Sequence, residues 1–246
     1  MYHRVFMKCI SGVAAGLIAT TAMSAPGDGP DLNISAEVDG RISSDTIAGI
    51  SIGGNNYLYE STLTDSDSYA IDWQMIINHD AGSGVDKGLE TLNGSITVAN
   101  TGSKSLMFVI DTNFNVNLAG DPVLYGGSFT GALTGGAEGA MLGHILDSPL
   151  WSANLNDESF HSFYENPFDF AALPFETVEI PAMDFGAPIP DLDGPDTFMM
   201  GNLMAFELSA GSSVTFASTF VAQIPGPGTL VALSLGLAGA RRRRRN

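Results

Sequence analysis

Short runs of alternating apolar and polar residues, separated by turn-forming residues, recur along most of this chain and restrict what it can fold into. Segments such as NISAEV (33–38) and SYAIDWQMIIN (68–78) are rich in β-branched and aromatic residues. Two-residue alternation places the apolar side chains on one face of a strand. The one weak helix signal is GAEGAMLGHIL (136–146), whose glycines disfavour a helix. The sequence therefore predicts an all-β domain.

The sequence predicts where the strands lie more clearly than it predicts which strands pair. The segments around NTGSK (100–104) and around SAGSS (209–213) each predict two strands joined as a β-hairpin. Frequent short strands of this kind indicate an antiparallel β-sandwich, immunoglobulin-like or jelly-roll-like, over residues 32–223. The proline-rich stretch 165–196 predicts an extended loop or an excursion at a sheet edge.

Both ends of the chain carry signals for the membrane. Residues 1–25 combine early basic residues, an apolar stretch and small residues, the pattern of a secretory signal peptide, and PGDGPD (26–31) is a turn-rich linker. Residues 224–240 are uncharged and predict a short C-terminal hydrophobic helix. Five arginines follow it and would hold the C-terminus in the cytoplasm. The only cysteine, Cys9, lies in the leader, so a processed chain would have no disulfide bond.

The C-terminal tail resembles a PEP-CTERM sorting signal. The resemblance rests on a Pro-x-Pro motif, a short apolar helix at 229–240 and a terminal arginine cluster, and Gly stands where the namesake motif has Glu. It implies export, transient anchoring in the inner membrane, and recognition by an exosortase-like processing enzyme after the export machinery and signal peptidase have acted. The segments SITVANTGSKSLMFVI and PLWSANL resemble, more loosely, the sandwich domains of such exported proteins. The residues that carry the sorting motif are Pro225, Gly226, Pro227, Arg241, Arg242, Arg243, Arg244 and Arg245.

The segment between these two signals is strongly acidic. It holds three basic side chains against all 27 acidic ones, a formal charge of −24. Such a surface repels nucleic-acid phosphates and anionic lipids. Cations, basic proteins and neutral glycans would be favourable partners, but solubility in a salty or divalent-rich medium explains the charge better than any specific partner. Extracellular polysaccharide is a partner that the resemblance to PEP-CTERM proteins implies.

Signals for catalysis are weak. The chain has no nucleophile elbow, zinc-protease motif, phosphate loop or dinucleotide fingerprint. His79, His144 and His161 follow no triad spacing, and no carboxylate pair is selected among the acidic residues. Asp157, His161 and Glu165 would share one face and form a weak metal candidate, but a solvated polar face explains them better.

Calcium is the cofactor that the sequence favours most, although none is required. PDLDGPD places Asp191, Asp193 and Asp196 around a glycine, and LTDSDS places Asp65 and Asp67 close together. Calcium prefers six to eight carboxylate and carbonyl oxygens. The alternative is that Asp and Gly are simply common in turns.

Aromatic residues offer a second kind of binding surface. Trp73, Trp151, Tyr57, Tyr59 and Tyr164 would stack on sugar rings if exposed. Trp73 lies in an apolar segment and is expected in the core, whereas Trp151 and Tyr164 are the better candidates for exposure. We therefore expect an exported, non-enzymatic protein of the cell surface or extracellular matrix. A glycan- or calcium-binding surface module and a secreted polysaccharide hydrolase are the alternatives.

Overall fold

The structure is a computed structural model that describes residues 29–65, 67–80, 88–118, 123–145, 147–188 and 197–224. These residues form fifteen β-strands and contain no helix. In chain order the strands are β1 (Asp31–Val38), β2 (Arg41–Ala48), β3 (Ile50–Gly53), β4 (Asn56–Asp65), β5 (Tyr69–Asp80), β6 (Leu89–Asn100), β7 (Leu106–Asn117), β8 (Leu124–Thr134), β9 (Ala140–Gly143), β10 (Trp151–Leu155), β11 (Glu158–Phe163), β12 (Asp169–Ala172), β13 (Thr177–Pro188), β14 (Thr197–Leu208) and β15 (Ser213–Gln223).

The strands form two antiparallel sheets. The eight-stranded sheet has the order β11-β10-β14-β7-β1-β2, with β9 beside β14 and β12 beside β9. The seven-stranded sheet has the order β13-β8-β15-β6-β5-β4-β3. The all-β prediction is thus confirmed for the described residues, and the two sheets are consistent with a β-sandwich. The predicted signal helix and C-terminal helix fall in residues 1–28 and 225–246, outside the described residues.

One apolar core lies between the sheets. On β1 every second side chain from Leu32 to Val38 is buried, as the alternation predicts. Phe206 of the eight-stranded sheet meets Phe216 of the seven-stranded sheet edge to face, with ring centroids 5.2 Å apart. Burial of a phenylalanine of this kind stabilises the fold by about 1.5–3 kcal/mol, so the facing aromatics hold the sheets together.

The two predicted hairpins are wrong. β6 lies in the seven-stranded sheet and β7 in the eight-stranded sheet, and β14 and β15 are divided in the same way. Each turn is therefore a β-arch, which carries the chain from one sheet to the other. Alternation buries one face of both strands in an arch as well as in a hairpin, so the two are equally compatible with the sequence.

The two β-arches lie side by side and are joined by Asn100, which defines the Asn100 end of the domain. Its backbone N–H donates to the carbonyl of Ser212 at 2.9 Å. Its side-chain Nδ2 donates to the carbonyls of Lys104 and Leu208, both at 2.9 Å, and its Oδ1 accepts from the N–H of Gly102 at 3.0 Å. One buried amide thus links both crossovers.

The opposite end is defined by the buried Glu90 and its half-buried partner His79, and is called the Glu90 end. The two residues are register partners where β5 ends at Asp80 and β6 begins at Leu89. The last strand, β15, also ends here, because Gln223 pairs with Leu89. The chain therefore leaves the described domain at the Glu90 end.

Two local expectations are resolved by strand pairing. The proline-rich stretch contributes β12 and β13, and β13 is the edge strand of its sheet with a register shift between Ile180 and Met183. Pro181 lies at that shift, where a missing N–H is tolerated. The weak helix signal at 136–146 is wrong, because its centre forms β9 and pairs with β12.

Candidate functional site

A polar groove runs over the outer face of the eight-stranded sheet. On β1 the inward side chains are apolar, so Asn33 and Ser35 point to the opposite face. Strand register places Asn33 between Thr46 of β2 and Asn113 of β7. Ser44 of β2 pairs with Ser35 in the next row. We call these residues, with Asp45, the outer-face groove, which has a volume of about 480 Å³.

Hydrogen bonds link the polar side chains of the groove into one chain, in which each residue donates to the next. Thr46 Oγ1 donates to Asn33 Oδ1 at 2.9 Å, and Asn33 Nδ2 donates to Asn113 Oδ1 at 3.1 Å. Asn113 Nδ2 then donates to Asp111 Oδ2 at 3.1 Å. Such chains fix side-chain orientation and strengthen each bond by polarisation. Each amide retains further donor and acceptor capacity, which is available to a ligand.

Asp111 is the final acceptor of this chain. Burial raises the pKa of its carboxyl, the hydrogen bond from Asn113 opposes that shift, and the negative charge of Asp157 adds to it. Space for the Asn113 side chain comes from Gly201, its register partner on β14. A Cβ at Gly201 would lie 2.8 Å from Asn113 Cβ and 2.3 Å from the carbonyl oxygen of Thr112. The missing side chain at Gly201 therefore leaves room for Asn113 at the floor of the groove.

The chemistry of the groove is that of hydroxyls and amides. Asp45 is the register partner of the inward-facing Ile34, so its side chain points away from Asn33 and Thr46, and its Oδ1 accepts from the backbone N–H of Thr46 at 2.8 Å. Among the residues that the structure describes, no basic side chain lines the groove. Neutral hydroxyl groups can both donate to and accept from such a surface, whereas an anion would meet the carboxylates without a compensating cation. The groove therefore suits a neutral, hydroxyl-rich ligand.

The aromatic residues proposed from the sequence do not form an exposed platform. Trp73, Trp151 and Tyr59 are buried, and Tyr57 and Tyr164 are half-buried against the core. The core position of Trp73 is confirmed. The expected exposure of Trp151 is wrong, because its ring stacks on the buried Phe163 at 5.0 Å between centroids.

His79 lies on β5, His161 on β11 and His144 directly after β9, and each histidine has different partners. His161 stacks on the ring of Phe185 at 4.2 Å, and neighbouring Ser162 donates to Glu165, so these residues have structural roles. His144 lies 3.3 Å from the carbonyl of Phe168. Within the described residues, no group of three His, Cys, Asp or Glu side chains is placed to hold a metal ion.

The remaining sequence candidates have separate outcomes. Asp65 closes a turn in which its carbonyl accepts from Ser68 N–H at 2.9 Å, and its carboxylate lies 3.7 Å from Arg41. The turn alternative therefore accounts for Asp65. The calcium candidates Asp191, Asp193 and Asp196 lie in 189–196, and the sorting residues Pro225, Gly226, Pro227 and Arg241, Arg242, Arg243, Arg244 and Arg245 lie in 225–246, both outside the described residues.

Sequence reasoning missed the outer-face groove and the pair formed by His79 and the buried Glu90. A weak signal for the groove exists, because asparagine and serine alternate with apolar residues on β1 and asparagines do so on β7. That signal gives the outward faces of two strands but not their adjacency. Asn33 and Asn113 are 80 positions apart, so only the folded sheet brings them together.

Comparisons with known proteins complete the description of the chain. No protein-family model matches it. No curated protein matches it either. Among the residues that the structure describes, none belongs to a helix long and apolar enough to cross a membrane.

Proposed function

We propose that this chain is an exported, non-enzymatic protein of the cell surface or extracellular matrix, and that its outer-face groove binds a neutral, hydroxyl-rich polymer such as extracellular polysaccharide. The observation that carries the binding role is the hydrogen-bonded chain from Thr46 through Asn33 and Asn113 to Asp111. It pre-orients amide and hydroxyl groups from three adjacent strands. Pre-orientation reduces the entropy that binding would otherwise cost.

Electrostatics supports the choice of a neutral ligand. With three basic side chains against 27 acidic ones between the two terminal signals, the domain attracts neither anionic polymers nor phosphates. A polymer with many hydroxyl groups gains contacts over several repeats, so a modest affinity per site becomes useful avidity.

The attachment of Ile224, the last residue before the sorting motif, supports sorting through the tail. β15 lies in the interior of the seven-stranded sheet between β8 and β6. Ile224 directly after it is buried, and its N–H donates to the carbonyl of Gly88 at 3.0 Å. Ile224 is therefore fixed to the domain directly before the residues that carry the sorting motif. Removal of the tail would leave these contacts intact.

The binding role is tested by affinity electrophoresis in gels that contain neutral polysaccharide, with anionic alginate as the charged comparison. We expect retardation by at least one neutral polymer, and about tenfold weaker binding for Asn113→Ala, which removes a pre-oriented amide. Asn115→Ala is the matched control, because Asn115 is exposed on the same strand outside the groove. Equal losses for both variants, or no retardation, would reject the groove as the site. Shortening of the polymer would instead favour a hydrolase.

Sorting is tested separately by intact-mass measurement of the protein recovered from the outside of cells. We expect a mass that lacks residues 229–246. A chain whose arginine cluster is replaced by serine serves as the control, and we expect it to keep its tail. Recovery of the tail on the unaltered protein would favour a plain membrane anchor over sorting.

A further inference from the structure

The hydrogen-bonded chain in the outer-face groove has a donor direction. It runs from Thr46 Oγ1 through Asn33 and Asn113 to Asp111 Oδ2, with donor–acceptor distances of 2.9, 3.1 and 3.1 Å. An asparagine amide can enter such a chain in two orientations, because its oxygen accepts and its nitrogen donates. Turning both amides over would give a chain of the same residues with the opposite direction.

The carboxylate at the end of the chain selects one of these directions. An ionised carboxylate accepts hydrogen bonds and cannot donate them. The atom of Asn113 that faces Asp111 must therefore be Nδ2, which turns Oδ1 of Asn113 toward Asn33. That oxygen requires Nδ2 of Asn33, so Oδ1 of Asn33 accepts from the Thr46 hydroxyl. One charge on β7 thus orients side chains on three adjacent strands.

The surroundings of Asp111 allow its charge to change. Its register partners are the uncharged Ser35 of β1 and Leu203 of β14. The carboxylates on neighbouring elements are Glu37, the next outward acidic residue on β1, and Asp157 in the turn after β10. Burial raises the pKa of Asp111 from its ordinary value of 3.8, the hydrogen bond at the end of the chain lowers it, and the charge of Asp157 raises it again. Asp111 is therefore ionised at neutral pH and takes up a proton at a higher pH than an ordinary aspartate.

We propose that Asp111 is the positioning residue that selects which ligand groups the outer-face groove binds. While Asp111 is ionised, the Thr46 proton is committed to Asn33, so the Thr46 oxygen accepts from the ligand. Thr46 is exposed on the last strand of its sheet, where a ligand can reach this oxygen. When Asp111 is protonated, its hydroxyl donates to Asn113 and both amides turn over. Thr46 then accepts from Asn33 and donates to the ligand instead.

The direction of the chain has a consequence for the class of ligand. At neutral pH the groove favours polymers whose free hydroxyl groups can donate to Thr46. Polymers whose hydroxyl groups are capped as methyl ethers can only accept, so they lose this contact. This consequence rests on the proposed function, whereas the donor direction is a property of the free protein and can be measured without a ligand.

The donor direction is tested by NMR on the free protein labelled with ¹³C and ¹⁵N. At neutral pH we expect nuclear Overhauser effects (NOEs) from the Nδ2 protons of Asn33 to the β-protons of Asn113, and weak ones to the Thr46 methyl group. Asp111→Asn places an amide that can donate or accept at the end of the chain, so both directions become populated. The NOEs from Asn33 to the Thr46 methyl group should then increase severalfold.

Asp157→Asn is the matched control, because it removes a nearby charge and leaves the Asp111 carboxylate in place. Asparagine also tolerates the left-handed φ of 64° at position 157. We expect the wild-type NOE pattern for Asp157→Asn at neutral pH. An unchanged pattern in Asp111→Asn, or the same change in both variants, overturns the proposal.

A pH titration of the wild-type protein tests the reversal itself. The ¹³C shift of the Asp111 carboxyl reports its protonation, and the NOE pattern should change with the same midpoint. Asp157→Asn should move both midpoints to lower pH, because the charge of Asp157 raises the pKa of Asp111. An NOE pattern that stays constant while Asp111 takes up its proton overturns the proposal.

Ligand selection is tested by affinity electrophoresis with hydroxyethyl cellulose and methyl cellulose. Both polymers are neutral and substituted, but only the hydroxyethyl groups end in a free hydroxyl. We expect the wild-type protein to bind hydroxyethyl cellulose about two- to tenfold more tightly, the effect of one hydrogen bond, and Asp111→Asn to reduce this preference. Equal binding of both polymers by the wild type overturns the proposal. No retardation by any neutral polymer would reject the proposed function, and the NOE pattern would then decide the role of Asp111 by itself.

Discussion

Asn100 shows how much of this fold depends on one side chain. It is 1% exposed and satisfies two backbone carbonyls that belong to different β-arches, those of Lys104 and Leu208. Strand ends leave backbone groups without ladder partners, and burial makes unpaired groups costly. Asn100 thus fixes the relation between two crossovers that are more than 100 positions apart in the chain.

Asn100→Ala should destabilise the domain by about 2–4 kcal/mol, because two buried carbonyls lose their donor. Urea unfolding measures the loss. Asn115→Ala, at an exposed position on β7, is the control and should change the free energy of unfolding by less than about 0.5 kcal/mol. Similar values for the two variants would contradict the role of Asn100.

The half-buried His79 and the buried Glu90 form a pair that makes stability depend on pH. His79 Nδ1 lies 2.9 Å from Glu90 Oε2, and Glu90 is fully buried. Burial raises the pKa of Glu90 while His79 opposes the shift. The hydrogen bond that His79 donates to Glu90 raises the pKa of His79 while burial opposes this shift, and the charge of Asp80 raises the pKa of both residues. The folded state therefore binds protons more tightly than the unfolded chain.

The stability of the domain should fall as the pH rises from about 4.5 past about 6.5, because raised folded-state pKa values make deprotonation favour unfolding. The melting temperature should drop by roughly 2–4 °C per kcal/mol lost. Glu90→Gln removes the buried charge and should flatten this decline. Glu158→Gln, at an exposed position, should preserve the wild-type pH dependence. A decline of equal slope in Glu90→Gln would show that other groups cause it.

At the scale of elements, a single glycine lets the chain pass from one sheet to the other. Gly49 lies between β2 and β3, which belong to different sheets. A Cβ there would lie 2.6 Å from Tyr59 Cζ and 2.8 Å from Tyr57 Cβ. Tyr59 is fully buried and donates through its hydroxyl to the carbonyl of Pro30 at 2.5 Å, so its ring is held in place.

Gly49→Ala should destabilise the domain by about 1–3 kcal/mol, the usual cost of overpacking. Gly186→Ala is the matched control, since a Cβ at Gly186 on β13 would meet no atom within 4 Å. Its melting temperature should stay close to that of the wild type. Thermal unfolding of both variants decides the matter, and a neutral Gly49→Ala would contradict the close packing of Tyr59.

The β-arches show the limit of sequence reasoning at this scale. The strands on either side of NTGSK and SAGSS were predictable from alternation and turn residues. Their pairing was not, because side-chain alternation reports which face is buried and says nothing about which strand is the neighbour. The outer-face groove could not be predicted from the sequence for the same reason.

At the scale of the whole molecule, the excess of acidic over basic residues has the largest effect on stability. The described residues include two basic side chains, Arg41 and Lys104, which contact Asp65 and Asp39 at 3.7 and 2.8 Å. The described acidic residues therefore greatly outnumber the basic side chains that could pair with them. Self-repulsion of this kind opposes the compact state and is screened by salt.

Sodium chloride between about 0.05 and 0.5 M should raise the melting temperature by a few degrees, because the Debye length shortens from roughly 14 to 4 Å. Calorimetry measures this rise. Calcium and magnesium chloride at equal concentration provide the control, since both ions screen alike. A rise specific to calcium that Asp193→Asn removes would support the predicted site at Asp191, Asp193 and Asp196. A melting temperature insensitive to salt would contradict the repulsion argument.

The sequence by itself determined the all-β class, the buried face of each strand and the acidic surface, because these follow from local alternation and from composition. Only the tertiary structure decided that the strands around Asn100 cross between sheets, that Asn33 meets Asn113, and that Trp151 is buried. The physical reason is that strand neighbours are selected by packing of the whole core, which joins residues far apart in the chain. Local sequence patterns therefore do not reveal which strands become neighbours.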